Sequence, residues 1–246
     1  MSFSVILPTL NEKDHILDLI EEISNIFKNK KIIYEIIIVD DSSIDGTQDI
    51  VENELERKPF LKLIKRQHKV RNLADSINEG ISLAKFNFVI WMDADFQHPP
   101  KYIENFIEEI KTFDVVISSR FLKDSERYFE NKRFEKDINE NQSYFYNKLC
   151  KILLYDDITD YTSGFICAKK KIFDNYFLKG FYGDYFVDMI VNFKKQKLKI
   201  IEIPFKDELR ASGESKTLVI VNLKYIYTCF RYFLTLVISF LKSKIN

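Results

Sequence analysis

Three polar clusters hold most of the residues whose types and spacing could do chemistry. They are Pro8–Glu12, Asp40–Thr47 and Asp93–Pro100, and each directly follows an apolar run. The third contains two carboxylates, Asp93 and Asp95, separated by one small residue. Carboxylates at this spacing can face one hard divalent cation, which takes oxygen ligands and bridges the phosphates of a nucleotide diphosphate. The third cluster therefore predicts a site for Mg²⁺ or Mn²⁺.

The second and third clusters also have structural interpretations. Asp93-Ala94-Asp95 could form a helix cap and turn, although the flanking Trp-Met and Gln-His-Pro-Pro favour a functional site. Asp45-Gly46-Thr47 is typical of a turn and helix N-cap. Asp40 and Asp41 end a buried strand, where a carboxylate can hydrogen-bond a base or ribose edge. Acid pairs at strand ends also occur in response-regulator receivers, but a receiver has roughly half this length and would leave the third cluster unexplained.

The elements between these clusters alternate between strand and helix patterns. Ile32–Val39 and Phe88–Met92 are apolar runs typical of strands buried on both faces of a parallel sheet. Asp14–Phe27, Leu73–Ala84 and Pro100–Thr112 show helical spacing of apolar residues. This alternation predicts an α/β fold with a doubly wound, mainly parallel sheet. Ligands of such sheets bind beyond the carboxyl ends of the strands, so the clusters are expected to converge on one pocket.

Composition excludes several other classes of protein. The chain has 246 residues, with 37 basic and 37 acidic side chains, which predicts one domain, or one domain and an appendage. A net charge of +0 argues against a nucleic-acid binder, whose domain is normally basic. The three cysteines form no CxxC pair and the three histidines are widely spread, so we expect neither a disulfide framework nor a zinc site.

Two further segments and one acid have alternative interpretations. Lys123–Gln142 is dense in charge, which predicts either an active-site loop or insertion or a solvated linker. Arg210–Lys216 places a glycine and a serine between two cations, which suits a loop that folds over a diphosphate, or alternatively a basic surface loop. Asp188 lies on a predicted helix, where it could orient a sugar hydroxyl or form a salt bridge.

Seven segments together resemble the family 2 glycosyltransferases of the GT-A fold. The subgroup they resemble most is the polyprenyl-phosphate sugar synthases, of the dolichol-phosphate mannosyltransferase type. The matching segments occur in family order, from about residue 4 to Lys216, and read VILPTLNE, IIIVDDSSIDGT, MDADFQHPP, SSRF, TSGF, GDYFVDMI and RASGESK.

The resemblance implies a role for each matching residue. Those expected to contact the donor nucleotide are Pro8, Glu12, Val39, Asp41, Asp93, Ala94, Asp95, Gln97, Arg210 and Lys216. Within this set, Asp95 and Gln97 would hold Mg²⁺ or Mn²⁺, and the two cations Arg210 and Lys216 would close over the diphosphate. Arg120 would meet the acceptor phosphate, with Arg133 as a second candidate. The catalytic set would be Asp95, Arg120, Arg210 and Lys216.

The implied reaction moves a sugar from a nucleotide sugar onto a polyprenyl phosphate. The resemblance favours mannose from GDP-mannose, with UDP-glucose or another UDP-sugar as the alternative. The acceptor phosphate is already a nucleophile because its second pKa is about 6, so a single displacement would invert the anomeric centre without a general base. A family 2 enzyme acting on a glycan would need a base, such as Asp188 or an acid of the middle segment. A non-catalytic nucleotide-sugar binder is the third alternative.

The C-terminal segment predicts an appendage to a catalytic domain spanning residues 1–216. Residues 217–246 form a basic amphipathic helix with a narrow polar stripe, whose members are Lys224, Thr228, Arg231, Thr235, Ser239 and Lys242. Such a helix could lie in a membrane interface, span the membrane, or pack within the protein or an oligomer. With a lipid acceptor, we expect a peripheral or monotopic protein on the cytoplasmic face of a membrane.

Overall fold

A computed structural model describes residues 1–67, 71–122, 125, 138–180, 183–206 and 223–244. Its strands are β1 (Ser2–Thr9), β2 (Ile33–Asp40), β3 (Leu61–Lys65), β4 (Phe88–Trp91), β5 (Val115–Ser119), β6 (Ile166–Lys169) and β7 (Ile200–Pro204). Its α-helices are α1 (Ile16–Asn29), α2 (Thr47–Glu52), α3 (Leu73–Leu83), α4 (Ile103–Glu109), α5 (Ile138–Leu153), α6 (Tyr185–Lys195) and α7 (Leu223–Lys244).

The strands form one sheet in the order β3-β2-β1-β4-β6-β5-β7. Only β6 runs antiparallel to its neighbours, β4 and β5, so the other six strands point the same way. The carboxyl ends of these six strands and the amino end of β6 therefore lie at one edge. Because β2, β1 and β4 are adjacent, the three polar clusters that follow them emerge side by side at that edge.

Helices cover both faces of the sheet, as the alternation of side chains along β1 shows. Phe3, Val5 and Leu7 point into a core with α1 and α4, whereas Ile6 points into a core with α3 and α6. All four side chains are fully buried. The doubly wound, mostly parallel α/β fold predicted from the sequence is thus confirmed.

The middle segment differs from its prediction at one end. Helix α5 begins at Ile138, so the last five residues of Lys123–Gln142 are helical rather than part of a loop. The sequence indicated a later start because these residues are polar, but polarity predicts exposure and does not prevent a helix. Apart from Ser125, the remainder of the segment lies outside the described residues.

From Arg231 onward, the polar stripe of the C-terminal helix faces the protein. Arg231 Nη2 lies 3.3 Å from Asp184 Oδ2, and Thr235 Oγ1 donates to the same oxygen at 3.2 Å. One turn further along α6, Lys242 pairs with Asp188. Ser239, from the same stripe, is fully buried. Arg231 and Lys242 thus face Asp184, just before α6, and Asp188 on α6.

The opposite face of α7 is apolar and exposed. Its exposed members are Phe230, Phe233, Leu234, Val237, Ile238 and Leu241. Within the described ranges, no helix combines the length and apolar character needed to cross a membrane.

Candidate active site

The third cluster forms a compact loop after β4. Asp95 is 2% exposed, and its Oδ1 accepts the Gln97 backbone N–H at 3.0 Å. The Asp93 backbone N–H donates to Nδ1 of His98 at 2.9 Å, and the imidazole stacks on Phe165 with ring centroids 5.0 Å apart. Neither acid caps a helix, because α4 begins only at Ile103 after a 3₁₀ turn that has no side-chain cap. The helix-cap interpretation of this acid pair is therefore wrong, although Asp95 does accept a backbone N–H within its own turn.

The oxygen atoms of this loop fit a hard divalent cation. Asp93, Asp95 and the side-chain amide of Gln97 supply the oxygen ligands that Mg²⁺ and Mn²⁺ prefer. Among the residues that the structure describes, no group of three His, Cys, Asp or Glu forms a complete protein metal site. Mg²⁺ is usually held by one or two carboxylates together with substrate phosphates.

The second cluster separates a structural acid from an accessible one. Asp40 is fully buried and accepts hydrogen bonds from Thr9 Oγ1 at 3.0 Å, from Ser43 N at 2.8 Å and from Gln48 Nε2 at 2.5 Å. Asp41 is 7% exposed. Burial raises the pKa of Asp41 above its ordinary value, although the charge of Arg66 opposes the shift. Asp41 is thus slightly more exposed than Asp40, and its oxygens accept hydrogen bonds from Arg66 and from the Asn72 backbone N–H.

Arg66, one residue beyond β3, holds Asp41 in place. Its Nη1 donates to Asp41 Oδ1 at 2.9 Å and to Ser76 Oγ at 2.8 Å, and its Nε lies 3.2 Å from Glu79 Oε2. Only 2% of the Arg66 side chain is exposed. The sequence interpretation missed this residue, which directly follows Lys65 at the end of the strand beside the acid-bearing β2.

The first cluster lies against the second. The Glu12 backbone N–H donates to Thr47 Oγ1 at 3.0 Å, and Glu12 itself is 8% exposed. Val39, at the end of β2, is fully buried, and its side chain faces Gly80 of α3.

A cavity of about 190 Å³ lies between the first and third polar clusters and the loop before β6. Pro8 and Asp93 line it from the clusters, and Thr162 and Gly164 line it from the loop. Tyr232 of α7 completes the wall. The sequence interpretation did not expect the C-terminal helix to contribute here.

Arg120 lies beside this cavity in a fixed orientation. Its Nε donates to Asp160 Oδ2 at 2.8 Å, and its Nη2 donates to Asp160 Oδ1 at 2.9 Å and to Thr162 Oγ1 at 2.8 Å. Asp160 is fully buried. Burial opposes its ionisation, but the charge and hydrogen bonds of Arg120 outweigh it and lower the pKa of Asp160. A guanidinium held this way can present a positive charge to an anionic substrate.

Of the remaining expected site residues, the structure describes some and leaves others outside its described ranges. Arg133, Arg210 and Lys216 lie outside the described residues. Ala94 is buried within the third cluster. Asp188 is 6% exposed and is engaged by Lys242 and by Tyr176 Oη, at 3.2 Å for the tyrosine. The salt-bridge interpretation of Asp188 is therefore confirmed.

Comparison with known sequences identifies similar proteins. A profile of the family described as Glycosyl transferase family 2 matches residues 4–177. The chain is 31% identical to a dolichol-phosphate mannosyltransferase of Pyrococcus furiosus, over 94% of this chain and 64% of that protein. It is 33% identical to an undecaprenyl-phosphate 4-deoxy-4-formamido-L-arabinose transferase of Pseudomonas fluorescens, over 46% of this chain and 34% of that protein. The chain thus spans less than two thirds of either relative.

Solved structures share the fold at lower identity. Glucosyl-3-phosphoglycerate synthase of Mycobacterium tuberculosis, in a complex with Mn²⁺ and UDP, superposes with a TM-score of 0.67 at 16% identity, covering 97% of this chain and 79% of that one. Mannosyl-3-phosphoglycerate synthase of Rubrobacter xylanophilus superposes with a TM-score of 0.68 at 15% identity, covering 98% and 73%.

Proposed function

The chain belongs to glycosyltransferase family 2, and from that premise we propose that it transfers a sugar from a nucleotide sugar to a polyprenyl phosphate. The observation that carries the proposal is Arg120, whose guanidinium is held by Asp160 and by Thr162, and Thr162 lines the same cavity as Pro8 and Asp93. Two relatives whose names contain a polyprenyl or dolichol phosphate support the same acceptor class. The donor we favour is GDP-mannose, with a UDP-sugar such as UDP-glucose as the alternative.

The proposed role of each residue follows from its charge and polarity. Asp41 takes a base or ribose edge, while Asp93, Asp95 and Gln97 face the diphosphate and a Mg²⁺ or Mn²⁺ ion. When bound, the cation neutralises charge on the departing diphosphate. Arg120 binds the acceptor phosphate and offsets its repulsion from the donor. Arg210 and Lys216 would close over the diphosphate, and Arg133 would be a second acceptor contact.

The phosphate acceptor removes the need for a general base. A phosphate monoester is largely dianionic above its second pKa of about 6, so it can attack the sugar carbon directly. The sugar–oxygen bond to the diphosphate breaks as the new bond forms on the opposite face, which inverts the anomeric centre. Transfer to a glycan hydroxyl would instead need a base, and Asp188, the acid suggested by sequence for that role, is committed to Lys242 and Tyr176.

The exposed apolar face of α7 is the surface we propose for contact with the membrane that holds the acceptor. It presents Phe230, Phe233 and Leu241 outward, while Arg231 and Lys242 face acids of α6. Membrane affinity would then come from apolar burial rather than from the cations of the polar stripe. The protein would be peripheral or monotopic, on the cytoplasmic face, with residues 217–246 as the appendage to a catalytic domain 1–216.

A donor panel tests the proposed activity. Purified protein is incubated with a polyprenyl phosphate, Mg²⁺ or Mn²⁺, and labelled GDP-mannose, UDP-glucose or another UDP-sugar in turn. We expect one donor to give an organic-extractable, acid-labile product that does not form with Arg120→Met. Absence of a lipid product with every donor would refute the proposed acceptor, and product formed equally well by Arg120→Met would refute the role of Arg120.

A further inference from the structure

The loop between α5 and β6 is held by β7, which lies on the opposite side of β5 from β6 in the sheet. Glu202, on β7, accepts three hydrogen bonds from this loop. Its Oε2 accepts the Thr159 backbone N–H at 2.8 Å and the Thr159 hydroxyl at 2.9 Å, and its Oε1 accepts the Asp160 backbone N–H at 2.9 Å. One carboxylate on a rigid strand therefore fixes the backbone on which Asp160 stands.

The same loop is also tied to β5. The hydroxyls of Ser119 and Thr159 lie 2.6 Å apart, and the Arg120 backbone N–H donates to Asp160 Oδ2 at 3.1 Å. Asp160 thus accepts hydrogen bonds from both the backbone N–H and the guanidinium of Arg120. Because the carboxylate meets the fork of the guanidinium with both oxygens, it fixes the direction as well as the position of the cation.

A chain of contacts therefore runs from the sheet to the cation. Glu202 orders the loop, the loop places Asp160, and Asp160 aims Arg120. A buried ion pair is weak evidence for stability, since apolar residues of similar volume often stabilise a fold as well. Orientation of a guanidinium, by contrast, needs the planar and charged partner that Asp160 provides.

We propose that Asp160 and Glu202 are positioning residues for the acceptor phosphate, acting through Arg120. The inference rests on the proposed function, because it takes Arg120 as the acceptor contact. Asp160 holds the guanidinium in its binding orientation, and Glu202 holds Asp160. Neither residue belongs to the proposed donor or cation contacts, so we expect their loss to affect the acceptor side of the reaction.

The test compares Asp160→Asn and Glu202→Gln with a matched control, Glu35→Gln. Glu35 is also buried, and it accepts hydrogen bonds from Ser4 Oγ and the Lys85 backbone near the opposite end of β2. Steady-state kinetics give KM for the polyprenyl phosphate, KM for the donor, and kcat. Calorimetry measures binding of farnesyl phosphate to each protein without donor.

We expect Asp160→Asn to raise the acceptor KM and the farnesyl phosphate Kd by at least tenfold, and Glu202→Gln by a smaller factor. Donor KM and kcat at saturating acceptor should stay within about threefold of the wild type, and Glu35→Gln should change neither acceptor constant. Equal losses in donor KM and kcat, or the same rise in Glu35→Gln, would show a general structural role and overturn the proposal.

The binding measurement separates this inference from the proposed activity. In one outcome, the wild type binds farnesyl phosphate, the variants bind it more weakly, and no sugar is transferred. The proposed activity is then wrong, and the positioning role stands. If transfer occurs and the variants bind as tightly as the wild type, the positioning role alone is wrong. If the wild type binds no phosphate monoester, Arg120 is not an acceptor site and both fail.

Discussion

At the residue scale, the site pairs each of two acids with an arginine that comes from a neighbouring strand end. Arg66, after β3, holds Asp41, and Asp160 holds Arg120, after β5. In each pair, a charge-assisted contact of 2.8–2.9 Å opposes desolvation, and it outweighs desolvation in its effect on the pKa of Asp160 but not on that of Asp41. The acids of the third cluster belong to a different class, because their oxygens suit a cation that arrives with the substrate.

Replacement of Asp95 tests the metal role. We expect Asp95→Asn to lower kcat by about 10²- to 10³-fold, because stabilisation of the leaving diphosphate is lost. Mn²⁺ titration followed by electron paramagnetic resonance, with nucleotide diphosphate present, should show weaker binding. Asp18→Asn, which removes an exposed acid of α1, serves as the control. Undiminished turnover of the wild type in EDTA would contradict the metal role itself.

The carboxyl group of Glu202 should give the protein a distinctive pH dependence of stability. Burial raises its pKa from 4.5 to about 7, against the hydrogen bonds from Asp160 and Thr159. The folded state therefore binds this proton more tightly than the unfolded chain does. The contribution of this proton to the free energy of unfolding is complete below about pH 4.5 and is lost as the pH rises through about 7. The loss amounts to roughly 3 kcal/mol at most.

Urea unfolding at pH 5 and pH 8 measures this effect. The free energy of unfolding of Glu202→Gln minus that of the wild type should be larger at pH 8 than at pH 5, because glutamine remains neutral at both pH values. Glu35→Gln provides the contrast, because hydrogen bonds and Lys62 lower the pKa of Glu35 despite its burial, so its difference from wild type should be flat over this range. A flat difference for Glu202→Gln as well would show that Glu202 titrates normally.

The sequence predicted these residues unequally. Asp41, Asp93 and Asp95 are recognisable because each ends an apolar run, where a doubly wound sheet collects its ligands. Arg66 and Asp160 were missed because their partners lie 25 and 40 residues away, and no local spacing encodes that pairing. A motif also marks a neighbourhood without saying which way a side chain points, as the buried side chain of Val39 illustrates.

At the scale of the elements, helix α3 lies unusually close to the sheet. Gly80 faces Ile6 of β1 and Val39 of β2, and a Cβ atom at Gly80 would lie 2.4 Å from Ile6 Cγ2. Ile6 is fully buried and branched at Cβ, so it has little freedom to move aside. The glycine therefore sets the distance between α3, which carries two partners of Arg66, and the strands beneath it.

Gly80→Ala should destabilise the protein although alanine is the better helix former. Overpacking a dense core costs about 1–3 kcal/mol, which exceeds the gain of roughly 1 kcal/mol in helix propensity. Ser82→Ala, on the exposed side of the same helix, should be close to neutral. Thermal unfolding of the two variants measures the difference, and a Gly80→Ala protein as stable as the wild type would mean that α3 can shift outward.

Periodicity predicted most of the elements, because apolar spacing directly reports which face is buried. It could not predict that β6 runs antiparallel between β4 and β5, since strand direction depends on how the chain returns to the sheet. That reversal is what brings Thr162 and Gly164 to the edge where the other strands end.

At the scale of the whole molecule, α7 reverses the usual arrangement of an amphipathic helix on a domain. Arg231 and Lys242 of its polar stripe pair with Asp184 and Asp188, and its apolar face is exposed from Phe230 onward. The amphipathic pattern in the sequence predicted both faces but not their directions, because the acids that attract the stripe, Asp184 and Asp188, lie 47 and 54 residues before their partners.

Two sets of variants separate the roles of the two faces. Phe233→Ser with Leu241→Ser should weaken sedimentation with liposomes by at least tenfold, because each lost apolar side chain removes roughly 2 kcal/mol of burial. The control Phe177→Ser removes an exposed phenylalanine outside α7 and should not change binding. Arg231→Gln should lower the unfolding temperature but leave liposome binding intact, because it uncouples Asp184.

Unchanged sedimentation of the double variant would contradict the proposed membrane surface. A change of oligomeric state in its place, followed by analytical ultracentrifugation, would assign the apolar face to contact between copies of the chain.

The central claim, that a lipid phosphate is itself the nucleophile, is tested most directly by comparing two acceptors that differ only in that group. The rate of sugar transfer to a polyprenyl phosphate is measured beside the rate to the corresponding polyprenol, with the same donor and cation. We expect transfer to the phosphate, with inversion at the anomeric carbon, and none to the alcohol, since Arg120 has no anion to bind and the site has no assigned base. Comparable transfer to the alcohol would contradict the claim.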